Sequence, residues 1–176
     1  MEYGMDRELL LLGALRQAEM HGYRLNEFIE REMATCIEIK KPTAYALLEK
    51  MVGQGWITAH EEREGNRPPR HVYRITTEGE QQFERLLRLN LAAYTPTRFA
   101  GDIGLAFADT LDRGELGDLL AERRAALAAA LDEARATPPH HGTLQWLIDH
   151  HVYHLESELR WLDEISARAA STETHS

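Results

Sequence analysis

The segment from Pro42 to Gly53 constrains the fold of this chain more than any other. Apolar side chains recur there at the i, i+3, i+4, i+7 spacing of a helix that buries one stripe. The stripe consists of Ala44, Leu47, Leu48, Met51 and Val52. The opposite face is flat and mostly small, and it consists of Pro42, Tyr45, Ala46, Glu49 and Gly53. Glycines at positions 53 and 55 end the helix before an extended run begins.

Two β-prone runs follow this helix, at residues 57–63 and 70–76, and a tip rich in Gly, Asn and Pro separates them. This arrangement predicts a β-hairpin. Its tip and returning strand carry basic residues, namely Arg67, Arg70, His71 and Arg74. A helix followed by a basic hairpin is typical of a winged helix-turn-helix, in which the helix enters the DNA major groove and the wing contacts the backbone or the minor groove. Charged hairpin tips are usually only solvated, but helix and wing together favour DNA binding.

The N-terminus of the predicted helix is unfavourable for an isolated helix. Helices favour Ser, Thr, Asp or Asn at the cap and acids in the first turn, whereas Lys40 and Lys41 stand here directly before Pro42. Each cation should cost roughly 0.3–1 kcal/mol through the helix dipole. A DNA phosphate would reverse that sign, because backbone N–H groups and both lysines would face it together. Two solvated lysines on a loop are the alternative.

The distribution of charge favours an oriented, site-specific binder. The chain of 176 residues has a net charge of −9, which argues against a protein that coats nucleic acid non-specifically. Between Lys40 and Thr76, seven Lys and Arg residues face four acids, so this segment has a net charge of +3 and the remainder −12. An acidic body with a basic edge selects one orientation on DNA.

Further elements complete a domain of three helices and a hairpin over residues 1–76. A leucine-rich helix from Asp6 to Ala18 is apolar on so many sides that other elements should enclose it. A short turn is expected at residues 21–23. The second helix that follows has inward side chains at Leu25, Phe28, Ile29 and Met33.

A domain boundary is predicted after one more helix. A capping box at residues 77–80 starts that helix, and Tyr94-Thr95-Pro96-Thr97 interrupts it. The predicted domains are therefore residues 1–93, with the wing at about 57–76, and residues 94–176.

Four fragments of the N-terminal half carry a family resemblance. They read L-L-L-G-A-L, H-G-Y-R-L, T-A-Y-A-L-L-E-K-M-V-G-Q-G-W-I and N-R-P-P-R-H-V-Y-R-I-T-T-E-G. Together they resemble the PadR family of bacterial transcriptional regulators, and the resemblance implies a C-terminal helical region for homodimerisation. The chain departs from the family pattern at Lys40, where a small polar cap is common, and at the additional proline of Pro68-Pro69. Because these departures lie in elements expected to contact DNA, the resemblance does not predict the operator sequence.

The predicted DNA contacts divide by role. Phosphates, whose contacts position a protein without reading sequence, are assigned to Lys40, Lys41 and Arg74. Base edges are assigned to Thr43, Ala46 and Glu49. The Glu49 carboxylate can accept from cytosine N4, and Tyr45 would serve in either role. Arg67 at the wing tip would enter a narrow minor groove, and Arg70 and Tyr23 complete the set.

The C-terminal half predicts a long, two-sided final helix. A short helical segment at 99–108 and a helix capped by residues 112–115 precede it, and the prolines at 138 and 139 end the latter. The final helix should run from Thr143 to about Arg168. One stripe holds Leu144, Ile148, Leu155, Leu159 and Leu162. The opposite stripe holds Trp146, His150, Tyr153, Ser157 and Trp161.

A helix with apolar or aromatic side chains on two faces needs two partners. We infer that one face packs on its own subunit and the other on a second copy, and a homodimer of this kind suits a palindromic operator. The predicted interface or effector residues are Trp146, His150, Tyr153, Trp161, Leu155 and Leu159. Relatives sense phenolic acids and flat drug-like compounds, so the aromatic rings would stack on a small aromatic effector beside His150. Aromatic residues are also enriched in interfaces, and we favour interface packing for them.

Little in the sequence indicates other chemistry. Five histidines lie between positions 140 and 154, and His150 and His154 have a spacing that can hold a metal, but no cysteine accompanies them and no H-E-x-x-H occurs. No P-loop, G-x-S-x-G or G-x-G-x-x-G is present, so no enzyme activity and no cofactor are predicted. The single cysteine, Cys36, fits a reducing cytoplasm, and no apolar run has the length of a membrane span.

The sequence therefore predicts a mainly α protein with a small β-hairpin wing, in which a winged helix-turn-helix domain precedes a C-terminal helical dimerisation domain. Its predicted function is that of a cytoplasmic, ligand-responsive repressor that binds double-stranded DNA as a homodimer. Two alternatives stay open, namely a winged-helix module that binds an acidic partner protein and a His-rich metal sensor.

Overall fold

The structure, a computed structural model, describes residues 3–32, 37, 39–62 and 70–171. This part of the chain is mainly helical with a small three-stranded antiparallel sheet, which confirms the predicted fold class. The chain divides into two compact units, Met1–Pro96 and Thr97–Ser176. None of the helices in the described ranges is long and apolar enough to cross a membrane.

The described residues of the first unit form four helices and three strands. They are α1 (Tyr3–Gln17), β1 (Met20–His21), α2 (Gly22–Glu32), α3 (Lys41–Gly53), β2 (Ile57–Glu62), β3 (Arg70–Ile75) and α4 (Thr77–Ala92). The predicted DNA-contacting helix is α3, and the predicted hairpin is β2 and β3. The second unit contains two 3₁₀ helices followed by α5 and α6. Their bounds are Ala100–Asp102, Gly104–Thr110, Arg113–Ala136 (α5) and Leu144–Ser171 (α6).

Helix α1 forms the centre of the first unit because leucines cover most of its circumference. Leu11 and Leu12 are fully buried, and α1 packs against α2, α4 and β3. Burying each such side chain stabilises the fold by about 1.5–3 kcal/mol. The same core includes Leu25, Ile29, Leu48, Met51 and Leu86. The prediction that other elements enclose this helix is therefore confirmed, while Met33, the last predicted inward residue of α2, lies outside the described residues.

Residues 20 and 21 form an edge strand that was not predicted. Met20 pairs with Tyr73 and His21 pairs with Val72, so β3 lies between β1 and β2. The expected turn at residues 21–23 is wrong, since α2 begins immediately at Gly22. Two residues are too few to show the alternation of a strand, and their pairing depends on a segment far along the chain.

One hydroxyl joins the end of α3 to the wing and to α4. Thr76 Oγ1 donates to Gly55 O at 2.7 Å and accepts from the Gly79 N–H at 3.0 Å. Gly55 has a φ of 74°, a left-handed conformation that favours glycine where the chain turns from α3 into β2. The cap of α4 is thus Thr76, one residue before the predicted capping box, because this hydroxyl satisfies backbone groups on both sides.

The second unit is built on the packing of α5 against α6. The Asp112 carboxylate caps α5 by accepting from the Glu115 N–H at 2.9 Å, as predicted. The short helical segment predicted at 99–108 forms the two 3₁₀ helices, since glycines at 101 and 104 disfavour a continuous α-helix. Arg123 of α5 holds this segment through a hydrogen bond of 2.9 Å to Asp102.

Gly79→Ala should destabilise the first unit. A Cβ atom at this position would overlap Trp56 O, a backbone atom that cannot rotate away, so β2 or α4 would have to move. We expect a loss of about 3 kcal/mol in the free energy of unfolding, measured by urea denaturation. Gly4→Ala is the matched control, because no atom lies within 4 Å of the corresponding Cβ position in α1. Equal unfolding midpoints for the two variants would contradict the close approach of α4 to Trp56.

The stability of the first unit should fall at alkaline pH because of Tyr73. This residue of β3 is 5% exposed, and its burial, followed by the nearby Tyr45 and Glu49, raises the pKa of the phenol above its ordinary value. A raised pKa means that the contribution to stability is fully present below about pH 10 and is lost as the pH rises through the folded-state pKa. Urea denaturation from about pH 8 to about pH 11 should therefore show a steeper loss for the wild type than for Tyr73→Phe. Parallel curves would exclude this role of Tyr73.

Candidate nucleic-acid interface

The outward face of α3 carries most of the residues predicted to contact DNA. Its exposed residues, with the one directly before the helix, are Lys40, Lys41, Pro42, Tyr45, Ala46 and Glu49. Thr43 is half-buried, so it lies at the margin of this face. Ala44, Leu48 and Met51 pack inward as predicted, whereas Val52 is 38% exposed and its place in the buried stripe was wrong. We call this outward surface the α3 face.

The first turn of α3 concentrates positive potential. Lys40 occupies the N-cap position with an extended backbone, and its side chain makes no capping hydrogen bond. Pro42 stands in the first turn, which contains no acidic residue. The first backbone N–H groups of a helix have no partner within the helix, and the helix dipole is positive at this end. Two ammonium groups therefore share one region with an open helix N-terminus, an arrangement suited to a phosphate.

An ion pair that sequence reasoning missed fixes the orientation of α3 on α1. The Lys50 ammonium lies 2.6 Å from Oε1 of Glu8, whose side chain is 7% exposed. Removing the partner of a buried carboxylate is strongly destabilising, so the pair constrains rotation of α3 about its own axis. The only signal in the sequence was a single acid, Glu8, directly before four consecutive leucines.

Among the described side chains of the wing, His71 and Arg74 are exposed, and Arg74 is paired. Arg74 on β3 is 57% exposed and forms an ion pair of 2.5 Å with Glu19, which is 49% exposed. Exposed pairs of this kind contribute about 0–1 kcal/mol, so a phosphate can replace the Glu19 carboxylate. The backbone of Arg70 pairs with Glu62 across the hairpin. The side chain of Arg70 and the whole of Arg67 lie outside the described residues.

Two tyrosines add hydroxyl groups to this side of the first unit. Tyr23, at the start of α2, is 41% exposed, and its ring stacks on His21 with a centroid distance of 5.6 Å. Tyr45 on the α3 face is also 41% exposed. A phenol hydroxyl can donate to a phosphate oxygen or to a base acceptor, so both residues retain their predicted roles as candidates.

The aromatic stripe of α6 is exposed only over the first half of that helix. Trp146 and Tyr153 are each 70% exposed, and His150 is exposed between them. Trp161 is half-buried, and the guanidinium carbon of Arg123 lies 5.5 Å from the centroid of its ring. Because an α-helix has 3.6 residues per turn, Trp161, fifteen positions after Trp146, does not lie on the same face of the helix as Trp146.

Two further residues assigned to an interface lie in the core of the second unit. Leu155 is 7% exposed and, with the half-buried Leu159, packs against Leu131 and Ala134 of α5. The packing of α5 on α6 already buries Leu155, so its assignment to the interface is wrong, whereas the assignment of the half-buried Leu159 stays a prediction. In the part of the chain that the structure describes, no three His, Cys, Asp or Glu residues are grouped to hold a metal ion.

Comparisons with known proteins identify relatives of the chain. Residues 11–85 match the model of the transcriptional regulator PadR-like family. The negative transcriptional regulator PadR of Bacillus subtilis strain 168 is 23% identical over 127 residues, which cover 72% of this chain and 70% of that protein. The matched family region runs from α1 to α4 and includes the α3 face and the wing.

Solved structures share the fold. B. subtilis PadR in complex with operator DNA has a TM-score of 0.79 at 20% identity, covering 92% of this chain and 98% of that chain. B. subtilis PadR in complex with p-coumaric acid has a TM-score of 0.74 at 20% identity, covering 95% and 97%. The PadR-like regulator BC1756 from Bacillus cereus has a TM-score of 0.71 at 15% identity, covering 95% and 99%. Residues 11–85 are thus similar to the PadR-like family of transcriptional regulators, and the chain shares the fold of these solved structures.

Proposed function

We propose that this protein is a cytoplasmic, ligand-responsive repressor that binds a palindromic operator in double-stranded DNA as a homodimer. Residues 1–93 bind the DNA, and residues 94–176 form the dimer. The observation that carries the proposal is the open N-terminus of α3, where Lys40 and Lys41 stand beside an exposed and mostly small face. A related protein, B. subtilis PadR, has been crystallised with operator DNA.

In the proposed complex, α3 enters the major groove and the wing follows the adjacent backbone. Lys40 and Lys41 bind phosphates, which turns their unfavourable interaction with the helix dipole into a favourable one. Ala46 offers a methyl group to thymine, and Glu49 accepts from cytosine N4. Because Thr43 is half-buried, it contributes to base readout only at the margin of this contact.

On the wing, Arg74 exchanges one anion for another. In the free protein it pairs with Glu19, and in the complex a phosphate takes the place of that carboxylate. The pairing with Glu19 keeps the guanidinium of Arg74 oriented before DNA arrives. Arg70, on the same returning strand, and Arg67, at the wing tip, extend the contact along the backbone and into the minor groove.

In this proposal, the second unit forms the dimer interface and binds the ligand that controls DNA binding. Trp146 and Tyr153, large aromatic residues that are each 70% exposed, form the centre of the dimer contact on α6. B. subtilis PadR has been crystallised with p-coumaric acid. We propose that a small aromatic effector binds near these rings, with His150 as a hydrogen-bond partner, and releases the operator.

Lys41→Glu should abolish specific DNA binding without changing dimerisation. The substitution places a carboxylate where a DNA phosphate would bind, and the two anions repel each other. We expect affinity for a duplex selected by the wild-type protein from a random DNA library to fall by at least about a hundredfold. Fluorescence anisotropy at several salt concentrations measures this loss.

Arg85→Glu on α4 is the control for that experiment, since it makes the same change of charge at an exposed site. Its affinity should stay within about threefold of the wild type. Unchanged DNA affinity in Lys41→Glu would overturn the proposed role of α3. Failure of the wild-type protein to select any sequence would instead favour the alternative of a winged-helix module that binds an acidic protein.

Replacing Trp146 and Tyr153 by alanine together should weaken the dimer. Truncating two central aromatic residues of an interface typically removes more than about 2 kcal/mol, which is roughly thirtyfold or more in the dissociation constant. Analytical ultracentrifugation over a concentration series measures this constant. Leu91→Ala is the control, because Leu91 is 76% exposed but lies on α4 in the first unit. Equal dissociation constants for both variants would place the dimer contact elsewhere.

A further inference from the structure

Gly22 occupies a position where the backbone does not require glycine. It is the first residue of α2, and among the described residues a positive φ occurs at Gly55 and Gly142 only. Within a helix, glycine is less favourable than alanine by about 0.5–1 kcal/mol. Local conformation therefore gives no reason for this glycine, and the reason must lie in what surrounds it.

The ring of Tyr45 fills the space beside Gly22. A Cβ atom built on Gly22 would lie 2.8 Å from Cε1, 3.2 Å from Oη and 3.3 Å from Cζ of that ring. Non-bonded carbon atoms prefer a separation of about 3.5–4.0 Å, so any side chain at position 22 would displace the ring. The outer edge of Tyr45 thus rests on the backbone of α2.

This contact restricts an otherwise exposed side chain. Tyr45 is 41% exposed on the α3 face, where a tyrosine would ordinarily sample several rotamers. The backbone of α2 forms one wall of its site, so the hydroxyl is held at the junction of α2 and α3. We propose that Gly22 is a positioning residue that orients Tyr45 for contact with DNA, an inference that rests on the proposed function.

The geometry separates this role from a purely structural one. At Gly79 the obstructing atom is a backbone oxygen, whereas at Gly22 the obstructing atoms are at the free end of a flexible side chain. The Gly22→Ala variant can therefore fold with Tyr45 rotated outward. Its urea midpoint should stay close to that of the wild type, while the hydroxyl of Tyr45 leaves its oriented position.

A double-mutant cycle tests the inference. The variants are Gly22→Ala, Tyr45→Ala and both together, and the probe is the duplex selected by the wild-type protein from a random DNA library. We expect Gly22→Ala alone to weaken binding by about tenfold, because one oriented contact is lost. In the Tyr45→Ala background, where the ring is absent, Gly22→Ala should change affinity by less than about twofold.

The outcomes distinguish this inference from the proposed function. A loss of affinity from Gly22→Ala that persists in the Tyr45→Ala background would overturn the inference, since Gly22 would then act without the ring. Wild-type affinity of Tyr45→Ala would overturn it as well, because Tyr45 would make no contact with DNA. Both results require a wild-type protein that binds its selected duplex. A wild-type protein that selects no sequence would overturn the proposed function and the inference together.

Discussion

The buried carboxylate of Glu8 is the constraint on which the orientation of α3 depends. Its residue is 5% exposed, and an ionised carboxylate removed from water destabilises a fold unless a cation accompanies it. Lys50 supplies that cation from α3 at 2.6 Å. Lys41 lies nine residues earlier in the chain, which is about two and a half helical turns, so pairing Lys50 with α1 directs Lys41 to the opposite side. This ion pair and the burial of Ala44, Leu48 and Met51 together orient α3, so that the α3 face points outward.

Helices α4 and α5 have a side-chain cap at their N-termini, whereas α3 has none. Thr76 caps α4 and Asp112 caps α5, each by accepting from a backbone N–H of the first turn. Helix α3 instead begins after Lys40, whose side chain makes no capping bond. Proteins tolerate local features that oppose stability mainly at functional sites, and the rest of the fold compensates for them. The ion pair of Lys50 with Glu8 and the burial of Leu48 and Met51 provide that compensation.

Patterns within one element were readable from the sequence, and relations between distant segments were not. Periodicity indicated α3 and the leucine-rich α1, and the Gly/Asn/Pro tip indicated the hairpin, because these signals are local. Strand β1 escaped prediction, since two residues carry no alternation and their partner is Tyr73 and Val72 on β3. The contact of Tyr45 with Gly22 was not predicted either, because the two residues are far apart in the sequence. For α6, periodicity identified two apolar faces but could not tell that Leu155 packs on α5 rather than on a second chain.

In the proposed complex with DNA, the acidic groups near the α3 face make binding depend on fit rather than on charge alone. Glu49 lies on that face, and Glu19 already neutralises Arg74 on the wing. For the proposed DNA-binding surface, non-specific attraction to phosphate is expected to be weak, because Glu19 already pairs with Arg74 and the chain has a net charge of −9. In the proposed complex, a duplex that presents a hydrogen-bond donor to Glu49 would gain a hydrogen bond, whereas any other would leave that carboxylate facing the acceptor edges of bases, which repel it. Discrimination then arises from the unfavourable pairing as much as from the favourable one. A protein with an acidic body can in this way reserve its small basic surface for a few sites.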